Sequence, residues 1–201
     1  MEITRNLTHP FIWVPDAEVP TWMVEELKPE MIAPVSLYKG LSKECRFARQ
    51  IDGFYSVAQH SVIMRVMAEK EGLLPPDQLI YCLLHDAAEA YLGDIATPIK
   101  LCLPDFQKLE DRVLRVIFER FQLDWPMPDV VHELDTRILV DEAAQLFDSP
   151  PFWIKQFLDA GVKPLNVDIQ PWPPVVAYNT FRVMFEIDLK NHMAAKKGAF
   201  L

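Results

Sequence analysis

Histidine is scarce in this chain, five in 201 residues, so the places it occupies carry information. His85-Asp86 follows the apolar run Leu79-Ile80-Tyr81-Cys82-Leu83-Leu84, and Glu89 comes one helical turn later. Spacing of i, i+3 and i+4 on a helix puts His85, Asp86 and Glu89 on adjoining faces beside a buried stripe. Charged groups there are costly unless paired or bound to metal. Two readings follow: a His and an Asp capping one another at a helix–helix contact, or two ligands of an ion. His60 lies inside another helix between Val57 and Ile63, where a lone histidine is more often a satisfied core residue. Asp135 borders Leu134 and Ile138 at the edge of a third apolar stripe.

Together His60, His85, Asp86 and Asp135 supply two imidazoles and two carboxylates from three helices. That donor set suits an octahedral first-row divalent ion with two open positions more than a closed structural zinc site. Open positions admit water and substrate, and a bound ion lowers the pKa of its water and neutralises phosphoryl charge. The chemistry that fits is hydrolysis of a phosphate ester.

The elements that must hold these residues can be read from proline and cap signals. Glycine is rare (6) and proline plentiful (17), and the prolines stand at element ends, as in helices joined by stiff loops. Residues 1–34 show no period and read as an irregular, partly packed arm. Residues 35–47 read as a short helix with Leu37, Leu41 and Phe47 inward. Ser56-Val57-Ala58-Gln59 is a capping box opening a helix that ends at Gly72. A helix from Pro75-Pro76-Asp77 is expected to reach Gly93. Another starts at Pro104-Asp105, with Phe106, Leu109, Val113, Val116, Ile117 and Arg120 in one buried stripe. The helix from Pro128-Asp129 runs to about Phe147. A Pro/Trp-rich connection over 151–174 holds one short helix at 152–160, and the last helix spans 175–193. The expected fold class is all-α, one domain over residues 1–201 with its core at about 35–190.

The formal net charge is −9, from 20 Lys+Arg against 29 Asp+Glu. That argues against a nucleic-acid strand as partner, which needs a basic face, and against docking on an anionic membrane. No segment reaches the roughly 18 apolar residues of a membrane span. The N-terminus Met1-Glu2-Ile3-Thr4-Arg5 lacks the apolar run of a secretory signal. Cys45, Cys82 and Cys102 form no C-x-x-C pair, which fits a reducing, cytoplasmic setting.

With these residues in view, the chain resembles the HD-domain metal-dependent phosphohydrolases, whose signature is His, then His-Asp, then a distant Asp. The resemblance rests on Phe54-Tyr55-Ser56-Val57-Ala58-Gln59-His60-Ser61, on Leu84-His85-Asp86-Ala87-Ala88-Glu89-Ala90-Tyr91-Leu92-Gly93-Asp94-Ile95-Ala96-Thr97-Pro98-Ile99-Lys100, and on Asp135-Thr136-Arg137-Ile138-Leu139-Val140-Asp141-Glu142-Ala143. With Pro171-Trp172 before the last helix, it is similar to the branch of the bacterial 5′-deoxynucleotidases and phage dATP triphosphohydrolases. The resemblance implies a helical bundle in which His60, His85, Asp86 and Asp135 hold one divalent transition metal (Mn, Co, Ni, Fe or Zn), with Asp141 as rival for the last ligand. It implies that Glu89 orients or deprotonates the attacking water and that Asp94 accepts a hydrogen bond from the sugar 3′-hydroxyl. Arg46 matches the position that grips phosphate, as a guanidinium fork can. Phe47 stands where those enzymes carry a tryptophan near the base, which leaves the base preference open. Lys100 adds charge for the phosphates or is a solvated loop lysine.

No histidine stands between Asp86 and His132, so the binuclear HD arrangement is not expected; His132 reads as structural, and His9 and His192 as solvated. Trp13, Trp22, Trp153 and Trp172 read as packing residues. The expected activity is hydrolysis of (deoxy)nucleoside 5′-phosphates at the α-phosphorus, with release of triphosphate from a dNTP as the alternative. An alarmone hydrolase is disfavoured because Gly93-Asp94 and Thr97-Pro98 replace its downstream Glu-Asp pair. A non-catalytic nucleotide-sensing module is the reading outside enzymology. A small-molecule nucleotide is the expected partner, with a homo-oligomer formed through the arm or residues 150–174.

Overall fold

The computed structural model describes the backbone of residues 11–13 and 21–23 and the whole of residues 26–198. His9 lies outside the described residues, as do the side chains of Trp13 and Trp22. The chain is all-α apart from a short antiparallel ribbon, β1 (Phe11–Trp13) with β2 (Thr21–Met23), in the register Phe11↔Met23. The arm was expected to be irregular; these two stretches instead pair their backbones. Among the described residues no helix is long and apolar enough to cross a membrane.

Nine helices follow among the described residues: α1 (Pro34–Leu41), α2 (Val57–Lys70), α3 (Ile80–Leu84), α4 (Glu89–Leu92), α5 (Thr97–Lys100), α6 (Pro104–Arg120), α7 (Asp129–Leu146), α8 (Trp153–Asp159) and α9 (Pro174–Gly198). Their starts follow local chemistry. Proline opens α1, α6 and α9, where its missing N–H is no loss. Ser56 Oγ accepts the Gln59 N–H at 3.1 Å and caps α2. At the other end Gly72, at φ 64°, closes a Schellman turn in which the Leu73 N–H reaches Ala68 O at 2.9 Å.

α2 sits at the centre, against α1, α3, α7 and α9. The apolar stripe of α9, Ala177, Phe181 and Phe185, continues through Asp188 and His192 and packs on Tyr38, Leu79–Leu84 and Phe121. A smaller cluster of Cys45, Ile51, Tyr55, Leu146 and Ile169 lies apart from this core. Gly40 touches α4 closely: a Cβ there would stand 2.5 Å from Ala90 O, so only glycine lets α1 approach.

Four expectations need correction. The first helix stops at Leu41 rather than 47, because Cys45 turns back to form an antiparallel bridge with Ser56. The helix expected over 75–93 is broken between α3 and α4. His85 and Ala88 keep helical dihedrals, but Ala87, Glu89 and Ala90 bond three residues back, a 3-10 tightening at the His-Asp pair. In α6 the buried stripe is Val113, Leu114, Ile117 and Phe118, while Arg120 is exposed and donates to Ile32 O at 3.2 Å. His192 is not solvated: it is buried, its two ring nitrogens each 3.0 Å from a carbonyl, of Asp77 and of Gln122.

The connection from 164 to 172 is neither helix nor strand, with Asn166 at φ 56°, and its backbone is satisfied by side chains instead of a sheet. Asp141 accepts the N–H of Leu165 at 2.6 Å and of Val167 at 3.3 Å. Gln145 bonds Val167 O at 2.9 Å and the Ile169 N–H at 3.0 Å. Gln59 donates to Gln170 O and accepts the Trp172 N–H, both at 2.8 Å, rather than folding back to complete the capping box.

Candidate metal centre

His60 on α2, His85 after α3 and Asp135 on α7 converge into a cluster that could hold a metal ion. His60 Nε2 lies 3.2 Å from His85 Nε2 and 3.2 Å from Asp135 Oδ1. Asp86 Oδ2 joins them, 3.0 Å from His85 Nε2 and 3.9 Å from His60 Nε2, and His85 Nε2 is 4.0 Å from Asp135 Oδ1. An octahedral ion with bonds of about 2.1 Å has ligand edges of about 3.0 Å and diagonals of about 4.2 Å. The His60, His85 and Asp135 atoms divide in that way, with two edges of 3.2 Å and His85/Asp135 at 4.0 Å as the diagonal, while Asp86 stands beside His85. His60, His85 and Asp135 therefore could hold a divalent ion in both donor type and spacing, and Asp86 adds a carboxylate next to His85.

Each imidazole is held from behind. His60 Nδ1 lies 2.6 Å from Glu142 Oε1, and His85 Nδ1 lies 2.9 Å from Cys82 O. A ring that donates Nδ1–H leaves the Nε2 lone pair for a ligand bond, and an oxygen partner sets both tautomer and orientation. Glu142 is fully buried and also accepts the Tyr55 hydroxyl at 2.8 Å. Tyr55 and His60 flank the α2 start as N′ and N4, the two positions that meet across a helix entry. The face of α7 explains the choice of carboxylate. Glu142, seven residues after Asp135, is rotated by about 20° from it, whereas Asp141 is rotated by about 120°. Asp141 accordingly faces the 164–172 connection, which removes it as rival ligand.

Arg46 is brought in by the bridge of Cys45 to Ser56, where its N–H bonds Tyr55 O at 3.0 Å. Its guanidinium lies 3.3 Å from Asp86 Oδ2, 3.3 Å from Glu142 Oε2 and 3.9 Å from Asp135 Oδ1. Immediately after it Phe47, Ala48 and Arg49 all have left-handed φ, 57°, 50° and 63°. Three such non-glycine residues cost roughly 1–2 kcal/mol each, strain of the kind that gathers at functional sites. Phe47 stands edge-on to Phe147, centroids 5.3 Å apart, and 5.6 Å from the Arg46 guanidinium carbon, so it lines the site rather than an α1 stripe.

Glu89 is buried at the start of α4. Its Oε1 accepts Lys100 Nζ at 3.1 Å, and Lys100 also bonds Glu110 at 2.6 Å. Lys100 is thus neither a solvated loop lysine nor an unengaged phosphate clamp. Glu89 Oε2, Arg46 Nε and Glu142 Oε2 are buried side-chain atoms without a hydrogen-bond partner among the described residues. An acceptor and a donor left open beside a metal cluster are what a water and an anion would fill. Asp94, half-buried after the Gly93 turn, is fixed through its N–H to Glu44 Oε1 at 3.2 Å. His132 is exposed on α7, away from the cluster.

The electrostatics follow the burial. Burial, then the Asp86 and Asp94 charges, raise the Glu89 carboxyl well above its ordinary range, with Lys100 opposing. Burial would raise Asp86, but His85, Arg46 and His60 hold it low. Burial and Arg46 press His60 down, yet Glu142 and Asp135 outweigh them and lift it to about 9. Sequence reasoning assigned no role to Glu142 or Tyr55; the seven-residue spacing from Asp135 was the available signal.

The chain is similar to two relatives of unassigned function. It is 35% identical over 146 residues to the uncharacterized protein YfdR of Escherichia coli, covering 72% of this chain and 78% of that protein. It is 33% identical over 93 residues to the uncharacterized protein RCAP_rcc00048 of Rhodobacter capsulatus, covering 44% of this chain and 47% of that protein. No protein-family model matches the chain.

Proposed function

The chain belongs to the family of the uncharacterized protein YfdR of Escherichia coli, and for it we propose a metal-dependent phosphohydrolase of the HD-domain type, acting on nucleoside 5′-phosphates. The observation that carries the reading is the convergence of the His60, His85 and Asp135 ligand atoms, with Asp86 beside His85 and both imidazoles held at Nδ1.

A divalent transition metal bound there would lower the pKa of water in its open positions and neutralise phosphoryl charge. Glu89 Oε2, buried and without a partner, is placed to orient the attacking water and take its proton. Lys100 holds the other Glu89 oxygen and keeps the carboxylate aimed. Arg46 offers its unpartnered Nε and its terminal nitrogens to phosphate oxygens. Asp94 can accept a sugar hydroxyl, and Phe47, backed by Phe147, offers an aromatic edge to a base. Lys100 is engaged by two carboxylates and Arg49 is largely exposed, 3.8 Å from Glu44, so Arg46 is the cation held against the cluster. This favours a monophosphate over a triphosphate. Free Cys45, Cys82 and Cys102 suit a cytoplasmic enzyme of free nucleotides.

The test is a screen of dNMPs, dNTPs and ribonucleotides with Mn²⁺, Co²⁺ or Ni²⁺, with products resolved by chromatography. Nucleoside and orthophosphate from a monophosphate are expected; triphosphate release from a dNTP would identify the other branch. No release from any nucleotide with any of these ions would refute the reading.

A further inference from the structure

We propose that Glu142 is a positioning residue that joins the metal ligand His60 to the phosphate-gripping Arg46 and keeps that arginine beside a bound dication. The inference rests on the functional reading above. Arg46 leans on three carboxylates, and two of them, Asp86 and Asp135, are metal ligands. A dication bound to those two neutralises them and repels the guanidinium. Glu142 is the member of the three that lies outside the ligand set, fully buried, with Oε2 3.3 Å from Arg46 Nη2.

Its other oxygen, Oε1, is committed to His60 Nδ1 and the Tyr55 hydroxyl. One carboxylate therefore makes an imidazole a better ligand and anchors the phosphate grip. A carboxylate buried for packing alone would cost free energy, and its cost is offset here by the three cationic or donor groups it serves, His60, Tyr55 and Arg46. Oε2 contacts Arg46 as an ion pair without a hydrogen bond, and Arg46 Nε is unpartnered. The guanidinium is thus tethered by charge and still has donors to give. Because Glu142 does not reach the reacting atoms, it acts through His60 and Arg46.

Glu142→Gln weakens both roles: the neutral amide oxygen can still accept from His60 and Tyr55 but no longer polarises the imidazole with a charge, while the amide nitrogen faces Arg46. The variant should bind Co²⁺ about 10–100-fold more weakly, the range for loss of such a supporting group. Inorganic phosphate binding to the Co²⁺-saturated protein, followed by calorimetry, should weaken at least tenfold in Glu142→Gln and in Arg46→Ala. The double variant should lose no more than Arg46→Ala alone, because both changes break one unit. Additive losses, or wild-type Co²⁺ and phosphate affinities in a Glu142→Gln protein with native circular dichroism, would overturn the proposal. If Glu142→Gln does not fold, Glu142→Asp keeps the charge but withdraws it from Arg46, and the same non-additivity is expected. Absence of nucleotide hydrolysis with this binding pattern intact would defeat the enzyme reading alone; hydrolysis with additive losses would defeat this one alone.

Discussion

The ammonium of Lys100 lies 3.1 Å from Glu89 Oε1 and pulls down a carboxyl that burial, Asp86 and Asp94 push up. A general base must be deprotonated, so kcat/KM should fall as pH drops through the Glu89 pKa. In Lys100→Met the lowering influence is gone, the pKa rises further, and the acidic limb should move to higher pH. Metal content, measured by atomic emission, should stay unchanged. A limb that stays in place would show that Glu89 does not govern it.

Asp135 and Asp141 occupy one helix but serve different tasks. Asp135→Ala should abolish stoichiometric Co²⁺ binding in calorimetry. Asp141→Ala should keep the metal and lose stability by about 1–3 kcal/mol, the cost of buried donors left unpaired at Leu165 and Val167. Faster amide hydrogen exchange over residues 164–172 is the local signature to look for.

Glu89→Ala should retain the metal while kcat drops by about 10²–10⁴-fold, the usual contribution of a positioned acid or base. Asp86→Ala should lose metal and activity together. Full turnover by Glu89→Ala would remove Glu89 from the mechanism.

Gly40→Ala places a methyl 2.5 Å from Ala90 O, a backbone atom that cannot rotate away. The expected cost is about 1–3 kcal/mol, as for other overpacked contacts, read as a lower denaturation midpoint. Since α4 carries Glu89 beside Ala90, a drop in kcat without loss of metal should accompany it.

Arg65 and Asp188 form a buried ion pair far along α2 and α9, with Nε to Oδ2 at 2.9 Å and Nη2 to Oδ1 at 2.8 Å. Asp188→Ala should cost at most about 3–5 kcal/mol, because the guanidinium loses its buried partner and keeps only the exposed Glu69, whereas replacing both by Met and Leu should be close to neutral. Equal losses in single and double variants, by urea denaturation, would contradict this.

Residue type and spacing determined much by themselves. Caps, prolines and apolar periods place α2, α7 and α9 to within a few residues because those signals are local. His60, His85, Asp86 and Asp135 stand out because polar groups beside buried stripes demand a reason. Tertiary structure decided which groups actually meet. Asp141 and Glu142 are neighbours in sequence, and only the packing of α7 against α2 shows that one binds a loop and the other a histidine. Lys100 finds Glu89 and Glu110 because α5 packs on α6, and His192 is buried because α9 carries it between the carbonyls of Asp77 and Gln122. Such pairings depend on distances across dozens of residues, which chain-local propensities do not encode.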